Sequence, residues 1–368
     1  MRRFRPTVVQ VDLDAIRHNV RTLKPADAEL MAVVKADGYG HGAARAARAA
    51  LEAGASWIGV ALVEEGIALR DADIQAPILV LSEFPPGAEA DALAARLTPT
   101  LYTTEGLDRL AAAARDLDSP LGVHVKVDTG MHRVGLYPPE IATEFVALVG
   151  AAGFELEGLW THFASAESDD EGTRKQLRWL LAAADGIRAR GIRPRYLHAA
   201  NSAGTLRLPE AHLDLVRVGA AAYGLDPGGG IGPDAGLRPA LRWVSAVALV
   251  HRLPAGERLS YGWTYELGRD GNVATVPVGY EDGYARALSS RAEVLIRGRR
   301  YRVSGIVTMD HLMVDCGDDD VRPGDEVVLI GDQGNERITA EEVGAHMGTI
   351  GYEIVTTISE RVPREHRG

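Results

Sequence analysis

The residue that most clearly points to chemistry is Lys35, which directly follows an apolar run. Met31–Val34 are apolar, and beyond Lys35 the chain continues as the glycine-rich segment ADGYGHG, with one tyrosine and one histidine. Burying an ammonium group at the end of an apolar strand is costly unless the charge is neutralised or bonded. Lys35 is therefore either a surface lysine at a strand end or a lysine that performs covalent chemistry through its amine.

Other polar residues follow further apolar runs, as residues at the carboxyl ends of strands would. They are Lys126, Arg133, His162, Asn201, Ser202, Arg217 and Gly219. The segment ANSAG also reads as a helix start, at which serine and free N–H groups face an anion. A phosphate site opposite a lysine suggests an imine with pyridoxal 5′-phosphate, and aldolase-type barrels, which use the same lysine chemistry, remain an alternative.

The elements that must position these residues alternate between short apolar runs and helical patterns. The eight predicted strands are Met31–Val34, Trp57–Ala61, Ile78–Leu81, Leu97–Leu101, Val123–Val127, Leu156–Thr161, Arg195–Ala199 and Leu213–Val218. Eight βα repeats in roughly 200 residues favour a parallel (β/α)₈ barrel, and a doubly wound sheet is the competing architecture. The weakest prediction is the fourth strand, which is short and contains Pro99. In a barrel, the polar residues named above converge at one mouth.

A second domain is predicted after Gly224, where the composition changes. The segment LDPGGGIGPDAGLRP is typical of a connection between domains. Beyond it, alternating patterns such as GNVATVPVG and DEVVLIG predict a mostly β domain with one short helix near 340–346. We predict a barrel domain over residues 1–236 and a β-rich domain over 237–368, with the first ~12 residues assigned to either.

The composition restricts the class of protein. The chain has 368 residues, a formal net charge of −11 and 46% hydrophobic residues, which argues against nucleic acid or an anionic membrane as the main partner. Cys316 is the single cysteine, so an intramolecular disulfide and a cysteine-based zinc cluster are excluded, and we expect no metal. The N-terminal segment lacks the apolar stretch of a signal peptide, and we expect a cytoplasmic protein.

Several segments carry a resemblance to a known family. AVVKADGYGHG, VKVDTGMHRVG, HAANS, VRVGAAAYG, SYGWTY, VGYEDGY, MDHLMVD and RVPR follow one another in this order over nearly the whole chain. They resemble the signature segments of bacterial alanine racemases of fold type III. The resemblance implies an N-terminal barrel that holds pyridoxal 5′-phosphate, a C-terminal β domain, and a head-to-tail homodimer in which the β domain of one subunit completes the active site of the other.

The resemblance also implies a two-base mechanism that interconverts L- and D-alanine for cell-wall precursors. Lys35 matches the lysine that forms the imine with the cofactor and then acts as one acid/base. Tyr261 matches the second base, contributed by the partner subunit, and Tyr265 is given a supporting structural role. His162 matches the residue that hydrogen-bonds this tyrosine. Arg217 matches the arginine against the pyridine nitrogen, where a residue that keeps its proton weakens the ring as an electron sink.

The remaining site residues are likewise implied by the resemblance. Those expected around the cofactor phosphate are Tyr39, Ser202, Gly219 and Tyr352, with Asn201 beside them. Those expected near the substrate are Arg133, Met309 and Asp310. Lys126 matches a lysine that carries a carbamate in some relatives and pairs with the Arg133 position. Tyr280 and Tyr284 are expected at the entrance, where bulky side chains keep the substrate small.

Four alternatives compete with this reading. A fold-type III decarboxylase shares the barrel and the lysine, but Arg217 argues against it. A protein that carries pyridoxal phosphate without turnover has little use for a second domain or for Tyr261. A broad-specificity amino-acid racemase is the nearest catalytic alternative. A racemase that uses two thiols is excluded because the chain has one cysteine.

Overall fold

A computed structural model describes residues 4–115 and 121–368. Its strands, in chain order, are β1 (Val8–Asp12), β2 (Glu29–Val33), β3 (Trp57–Val60), β4 (Ile78–Val80), β5 (Thr100–Leu101), β6 (Gly122–Lys126), β7 (Glu155–Trp160), β8 (Tyr196–His198), β9 (Leu215–Val218), β10 (Leu241–Ala246), β11 (Leu249–Leu253), β12 (Arg258–Leu259), β13 (Tyr265–Glu266), β14 (Gly271–Val276), β15 (Glu293–Ile296), β16 (Arg299–Arg302), β17 (Leu312–Gly317), β18 (Glu326–Gln333), β19 (Glu336–Ile338) and β20 (Arg364–Arg367). The chain divides into two compact units, of which the first is Ala15–Arg238.

The helices of the described residues alternate with the strands of the first unit and are fewer in the second. They are Leu13–Leu23, Ala43–Glu52, Val63–Asp71, Glu89–Ala94, Thr104–Ala113, Ala142–Ala151, Asp170–Ala189, Ser202–Arg207, Ile231–Asp234, Ala340–Met347 and Gly351–Thr356. The longest begins after Asp169, whose side chain accepts a hydrogen bond from the Gly172 N–H, as an N-cap residue should. No helix in the two described ranges is both long and apolar enough to cross a membrane.

The first unit is a closed parallel barrel. Two four-stranded sheets, in the orders β4-β3-β2-β9 and β5-β6-β7-β8, contain its eight strands. A parallel bridge between Leu79 and Thr98 joins the sheets on one side. On the other side, the Arg217 N–H donates to the Ala200 carbonyl at 2.9 Å. The predicted (β/α)₈ barrel is confirmed, and closure of the sheet excludes the doubly wound alternative.

Large apolar side chains fill part of the barrel interior. The buried members of this cluster are Met31, Trp57, Leu79, Tyr196 and Leu215. They come from β2, β3, β4, β8 and β9, because inward-pointing residues of different strands stack in layers inside such barrels. A packed interior of this kind leaves only the strand ends and their loops to bind a ligand.

The second unit is mostly β, as predicted, and consists of Pro239–Gly368 together with the described residues up to Asp14. Its largest sheet has the order β16-β15-β18-β10-β1-β20, with β19 paired to β18, and a smaller sheet has the order β11-β14-β17. Strand β1 pairs antiparallel with β10 and parallel with β20. The N-terminal strand is therefore part of the second unit, although the helix that follows it leads into the barrel.

Candidate active site

Lys35 lies just beyond the carboxyl end of β2 and begins a turn with unusual backbone geometry. The φ angles of Ala36, Asp37, Gly38 and Tyr39 are +51°, +50°, +62° and +52°, in the left-handed region that L-residues rarely occupy. This conformation costs roughly 1–2 kcal/mol for each residue other than glycine, so such a run persists only where its surroundings hold it. The lysine is thus followed directly by a strained turn.

Glu65, in the helix Val63–Asp71, holds this turn. Its Oε1 accepts a hydrogen bond from the Ala36 N–H at 2.6 Å, and its Oε2 accepts one from the Ala61 N–H at 2.8 Å. Because one carboxylate bonds to both segments, the turn after Lys35 is tied to the end of β3. Glu65 was not predicted from the sequence, since a glutamate in the first turn of a helix is ordinarily explained by the helix dipole.

The amine of Lys35 is partly buried and has mainly positive neighbours. Burial lowers the pKa of Lys35, Arg133 lowers it further, and the carboxylate of Glu65 acts in the opposite direction. A lowered pKa raises the fraction of neutral amine at neutral pH. The neutral amine is the form that attacks a carbonyl or accepts a proton, so the surroundings favour the chemistry expected of this lysine.

Lys126, at the end of β6, is buried more completely. It is 3% exposed, and its Nζ lies 4.3 Å from the ring centroid of Trp160, a cation–π contact. Burial lowers the pKa of Lys126 to about 7, with Arg133 and Arg217 contributing and Asp128 opposing. This second lysine is therefore also partly neutral near physiological pH.

Arg217, on β9, is held by acceptors of the barrel wall. Its Nη2 donates to the carbonyls of Thr161 at 2.7 Å and Ala199 at 3.0 Å, and its Nη1 donates to Nδ1 of His198 at 3.0 Å. Burial lowers the pKa of Arg217 to about 9, which still leaves the guanidinium charged at neutral pH. Three of its five N–H groups donate in these hydrogen bonds, which anchor the guanidinium to the barrel wall.

His162 lies close enough to the four cationic side chains of this cluster for each of them to lower its pKa. Burial lowers the pKa of His162 well below its usual value. The charges that lower it further are, in order, those of Arg217, Lys126, Arg133 and Lys35. The imidazole is therefore neutral at physiological pH. The strand-end residues predicted to converge do converge, and they form a strongly positive site suited to an anionic ligand.

Tyr39, Ser202 and Gly219 form a small polar cradle beside this cluster. The Ser202 hydroxyl accepts hydrogen bonds from the N–H groups of Gly219 at 3.1 Å and Ala221 at 3.3 Å. A Cβ on Gly219 would lie 2.5 Å from the Tyr39 hydroxyl oxygen, so a larger residue would displace that hydroxyl. Burial raises the pKa of Tyr39 to about 12, which keeps the hydroxyl protonated.

Asn201 supports the cradle through its side-chain oxygen. Its Oδ1 accepts a hydrogen bond from the Gly204 N–H at 2.9 Å and caps the helix Ser202–Arg207. The cap fixes the first residue of that helix. The position of the Ser202 hydroxyl therefore depends on the Asn201 side chain.

The residues predicted in the second unit are mostly on its surface. Tyr261 is 71% exposed and Met309 is 50% exposed. Asp310 forms an ion pair with an arginine of the same unit at 2.7 Å. Tyr280 is partly exposed, and Tyr352 lies half-buried in the last helix. Exposed large side chains of this kind are candidates for contact with another chain.

Two further tyrosines belong to the internal packing of the second unit. The Tyr265 hydroxyl donates to Oδ2 of Asp315 at 2.8 Å, in keeping with a structural role. Tyr284 was expected at the entrance, and this expectation needs correction. It is 1% exposed, and its ring makes an edge-to-face contact with Trp243 at 5.9 Å. A side chain packed in the core cannot limit the size of a substrate directly.

Three aromatic residues next to the cations were not predicted from the sequence. The Trp160 ring lies 4.6 Å from the guanidinium carbon of Arg217 and stacks on His198 with centroids 5.6 Å apart. His198 in turn bonds to His124 of β6 at 3.0 Å. His198 was visible within the HAANS segment, but nothing in the sequence indicated that it and His124 face the same interior.

These features define a (β/α)₈ barrel with a cation-lined site at the carboxyl ends of its strands and a lysine of lowered pKa within it. A family model described as the N-terminal domain of alanine racemase matches residues 11–227, and one described as the C-terminal domain matches residues 240–366. The chain belongs to the alanine racemase family.

Individual relatives match along almost their full length. The chain is 51% identical to an alanine racemase of Symbiobacterium thermophilum, over 99% of this chain and 98% of that protein. It is 43% identical to one of Desulfovibrio desulfuricans, over 98% of both chains. The crystal structure of alanine racemase from Streptomyces lavendulae superposes with a TM-score of 0.94 at 39% identity, covering 100% of this chain and 98% of that chain. A Bacillus anthracis alanine racemase with bound L-Ala-P gives 0.93 at 39% identity, covering 100% and 96%.

Proposed function

We propose that this protein is a pyridoxal 5′-phosphate-dependent racemase that interconverts L- and D-alanine. Membership of the alanine racemase family supports the reaction. The observation that carries the proposal is a lysine of lowered pKa, Lys35, at the mouth of a barrel beside three other cationic side chains, those of Lys126, Arg133 and Arg217. A positive site that contains an amine of lowered pKa suits an anionic aldehyde and an amino-acid substrate.

The residues present fit this cofactor. Its phosphate would be held by the hydroxyls of Tyr39 and Ser202 and by the backbone at Gly219, where a Cβ would displace the Tyr39 hydroxyl. Tyr352 is assigned to the same phosphate on the basis of the family resemblance. When bound through its aldehyde to Lys35, the cofactor withdraws electrons from the substrate Cα and makes the α-proton acidic.

Two groups move the proton in this proposal. The amine of Lys35 would accept or return the α-proton on one face of the substrate. Its lowered pKa supports this role because a base must be unprotonated at the start. Tyr261, contributed by the partner subunit, acts on the opposite face, since one group alone tends to return the proton to the face from which it came. The neutral imidazole of His162 keeps one ring N–H, which would donate a hydrogen bond to the Tyr261 oxygen and keep it oriented.

Arg217 limits side reactions. Its guanidinium remains charged and does not give up its proton, so it would donate a hydrogen bond to the ring nitrogen without protonating it. An unprotonated ring withdraws electrons less strongly, which favours early return of the proton to Cα. A carboxylate at this position would protonate the ring and stabilise the negative charge for longer.

The other predicted residues are assigned to substrate binding. Arg133 would bind the substrate carboxylate and the phenolic oxygen of the cofactor, and Met309 and Asp310 of the partner subunit would close the substrate side, with Tyr280 at the entrance. The lowered pKa of Lys126 makes its amine available to CO₂, so a carbamate that pairs with Arg133 fits this position. We further propose a head-to-tail homodimer that supplies D-alanine for peptidoglycan in the cytoplasm.

Hydrogen exchange tests the function directly. Protein loaded with pyridoxal phosphate is incubated with L-alanine in D₂O, while NMR follows loss of the α-proton and polarimetry follows optical rotation. Exchange with racemisation is expected. Lys35→Ala should abolish both signals and the visible absorbance of the bound cofactor, whereas Lys175→Ala, at an exposed position, should retain them.

The same assay separates the alternatives. Equal exchange of alanine, serine and larger amino acids would indicate a broad-specificity racemase. Cofactor absorbance without exchange of any amino acid would contradict the catalytic proposal and support a carrier. Absorbance that survives Lys35→Ala would move the imine to another lysine.

A further inference from the structure

Arg217 is the end of a hydrogen-bonded chain that runs into the barrel. Its Nη1 lies 3.0 Å from Nδ1 of His198, and Nε2 of His198 lies 3.0 Å from Nδ1 of His124. Both imidazoles are 0% exposed. Three strands of the barrel therefore contribute one side chain each to a continuous polar path through an otherwise apolar interior.

The donor at one end fixes every proton along the path. Arginine can only donate, so Nδ1 of His198 must accept and carries no proton. Burial and the nearby guanidinium lower the pKa of His198 and that of His124, to about 3 for His124, so both rings are neutral. A neutral ring with a bare Nδ1 carries its proton on Nε2. His198 then donates to His124, and His124 carries its own proton on Nε2.

The far end of the path is an acid. Nε2 of His124 lies 3.8 Å from Oε2 of Glu157, whose side chain is 24% exposed. Burial raises the pKa of Glu157, Arg195 lowers it and Glu155 raises it again. The N–H of His124 thus faces a carboxylate with access to solvent, and no other described residue hydrogen-bonds to that nitrogen.

Two glycines make room for the path. An ideal Cβ on Gly158 would lie 2.2 Å from Nδ1 of His124, closer than real Cβ contacts come. A Cβ on Gly122 would lie 2.7 Å from Oε2 of Glu157. Neither glycine has a positive φ angle, so a need for conformational freedom does not explain why glycine occurs at these two positions. The space above each is occupied by a polar side chain of the path instead.

We propose that His124 is a positioning residue that acts through His198 to fix the guanidinium of Arg217 toward the ring nitrogen of the cofactor. The inference rests on the proposed function for the identity of that cofactor. An acceptor at the Nδ1 position of His124 keeps the His198 proton on Nε2, which keeps Nδ1 of His198 free to accept from Arg217. Without that acceptor, a buried N–H loses its partner, and the His198 ring gains by turning away from the arginine.

The first test needs no cofactor and no variant that alters folding. Protein labelled with ¹⁵N-histidine is prepared without pyridoxal phosphate. Long-range ¹H–¹⁵N NMR then reports which ring nitrogen of each histidine bears the proton. His198 and His124 should both be neutral with the proton on Nε2 between about pH 6 and 9. A proton on Nδ1 of His198 in the wild type would overturn the proposal.

The second test compares two variants that differ in where they place an acceptor. In His124→Asn the amide reaches the position of Nδ1, and in His124→Gln it reaches that of Nε2. Each protein is titrated with pyridoxal phosphate and with its 1-deaza analogue, which has a carbon in place of the ring nitrogen. The wild type and the asparagine variant should prefer pyridoxal phosphate by about tenfold or more, the effect of one charge-assisted hydrogen bond.

The glutamine variant should lose most of that preference while binding the deaza analogue as the wild type does. Equal weakening of both ligands would show that His124 only supports the fold, and an unchanged preference would show that Arg217 does not need it. If the wild type fails to bind pyridoxal phosphate at all, the proposed function fails, whereas the NMR result on the histidines stands independently.

Discussion

Tyr261 and Tyr265 lie four residues apart but have different surroundings. Tyr261 is 71% exposed, whereas the Tyr265 hydroxyl is bound by Asp315 within its own unit. Because Tyr261 is the proposed second base, Tyr261→Phe should lower α-proton exchange of L-alanine by about 10²–10⁴, the usual contribution of a positioned acid/base. Because the proton of L-alanine is assigned here to Tyr261, that of D-alanine falls to Lys35, so exchange of D-alanine without inversion should persist. NMR in D₂O with each enantiomer measures both.

Tyr265→Phe is the matched control for this change. It removes one partly buried hydrogen bond and should reduce the free energy of unfolding by about 1 kcal/mol, with little effect on exchange. Equal loss of exchange in the two variants would indicate that the segment as a whole matters. In that case Tyr261 would not be assigned as the second base.

The lowered pKa of Lys126 predicts how the free energy of unfolding should depend on pH. The folded pKa is about 7 and the unfolded value 10.5, so between these limits the unfolded chain binds a proton that the folded chain does not. Stability therefore rises with pH in this window, by up to about 1.4 kcal/mol per pH unit, and the contribution is lost as pH falls through 7. Urea unfolding of the unmodified, CO₂-free protein at several pH values measures the slope.

Lys126→Met should remove this slope, and Lys175→Met, at an exposed position, should keep it. Added bicarbonate should also flatten the slope in the wild type, because a carbamate no longer titrates as an amine. A slope that is the same in wild type and Lys126→Met would contradict the low pKa, and with it the argument for carbamate formation at this lysine.

At the scale of elements, the barrel could be predicted because each strand is a local signal. Apolar runs separated by helical patterns identified all eight strands, including the fourth, which is only Thr100–Leu101 in the structure. The left-handed turn after Lys35 could not be predicted. Only one of its four residues, Gly38, is a glycine, and a carboxylate from the helix after the next strand holds the turn.

The same distinction explains which parts of the site were predictable. Strand-end residues such as Lys126 and Arg217 follow from chain order alone, because the carboxyl ends of parallel strands share one face of the barrel. The hydrogen bond between His124 and His198 requires both side chains to lie in adjoining positions of the barrel interior. Those positions are set by the register of β6 with β7 and of β7 with β8. Tyr284 was misplaced for a similar reason, since its burial depends on packing against Trp243 from a distant strand.

Strand β7 offers a test of this interior packing. Gly158→Ala would place a methyl carbon 2.2 Å from Nδ1 of the buried His124 ring, so the ring or the strand must shift. Overpacking of this kind should reduce the free energy of unfolding by about 1–3 kcal/mol. Gly150→Ala is the control, since nothing lies within 4 Å of the new Cβ in the helix Ala142–Ala151, and there alanine should be neutral or stabilising. The free energy of unfolding of both variants is measured with urea. Equal changes in the two would contradict the close contact between position 158 and the His124 ring.

At the scale of the whole molecule, the proposed dimer explains why large side chains are exposed on the second unit. Tyr261, Trp263 and Met309 are 71%, 69% and 50% exposed, and all three belong to segments that resemble those of the family's shared site. An isolated chain would gain nothing by presenting them to water. Contact with a second copy would bury them and give Tyr261 a substrate on which to act.

Hybrid dimers decide whether active sites are shared between subunits. Lys35→Ala and Tyr261→Phe chains carrying different tags are co-expressed, and dimers holding both tags are purified. If the second unit of one chain completes the barrel site of the other, each hybrid has one site with both defects and one with neither. It should then recover about half of the wild-type activity, while each parent homodimer stays inactive. If each chain instead built its site alone, every site in the hybrid would retain one defect and activity would remain at the parental level.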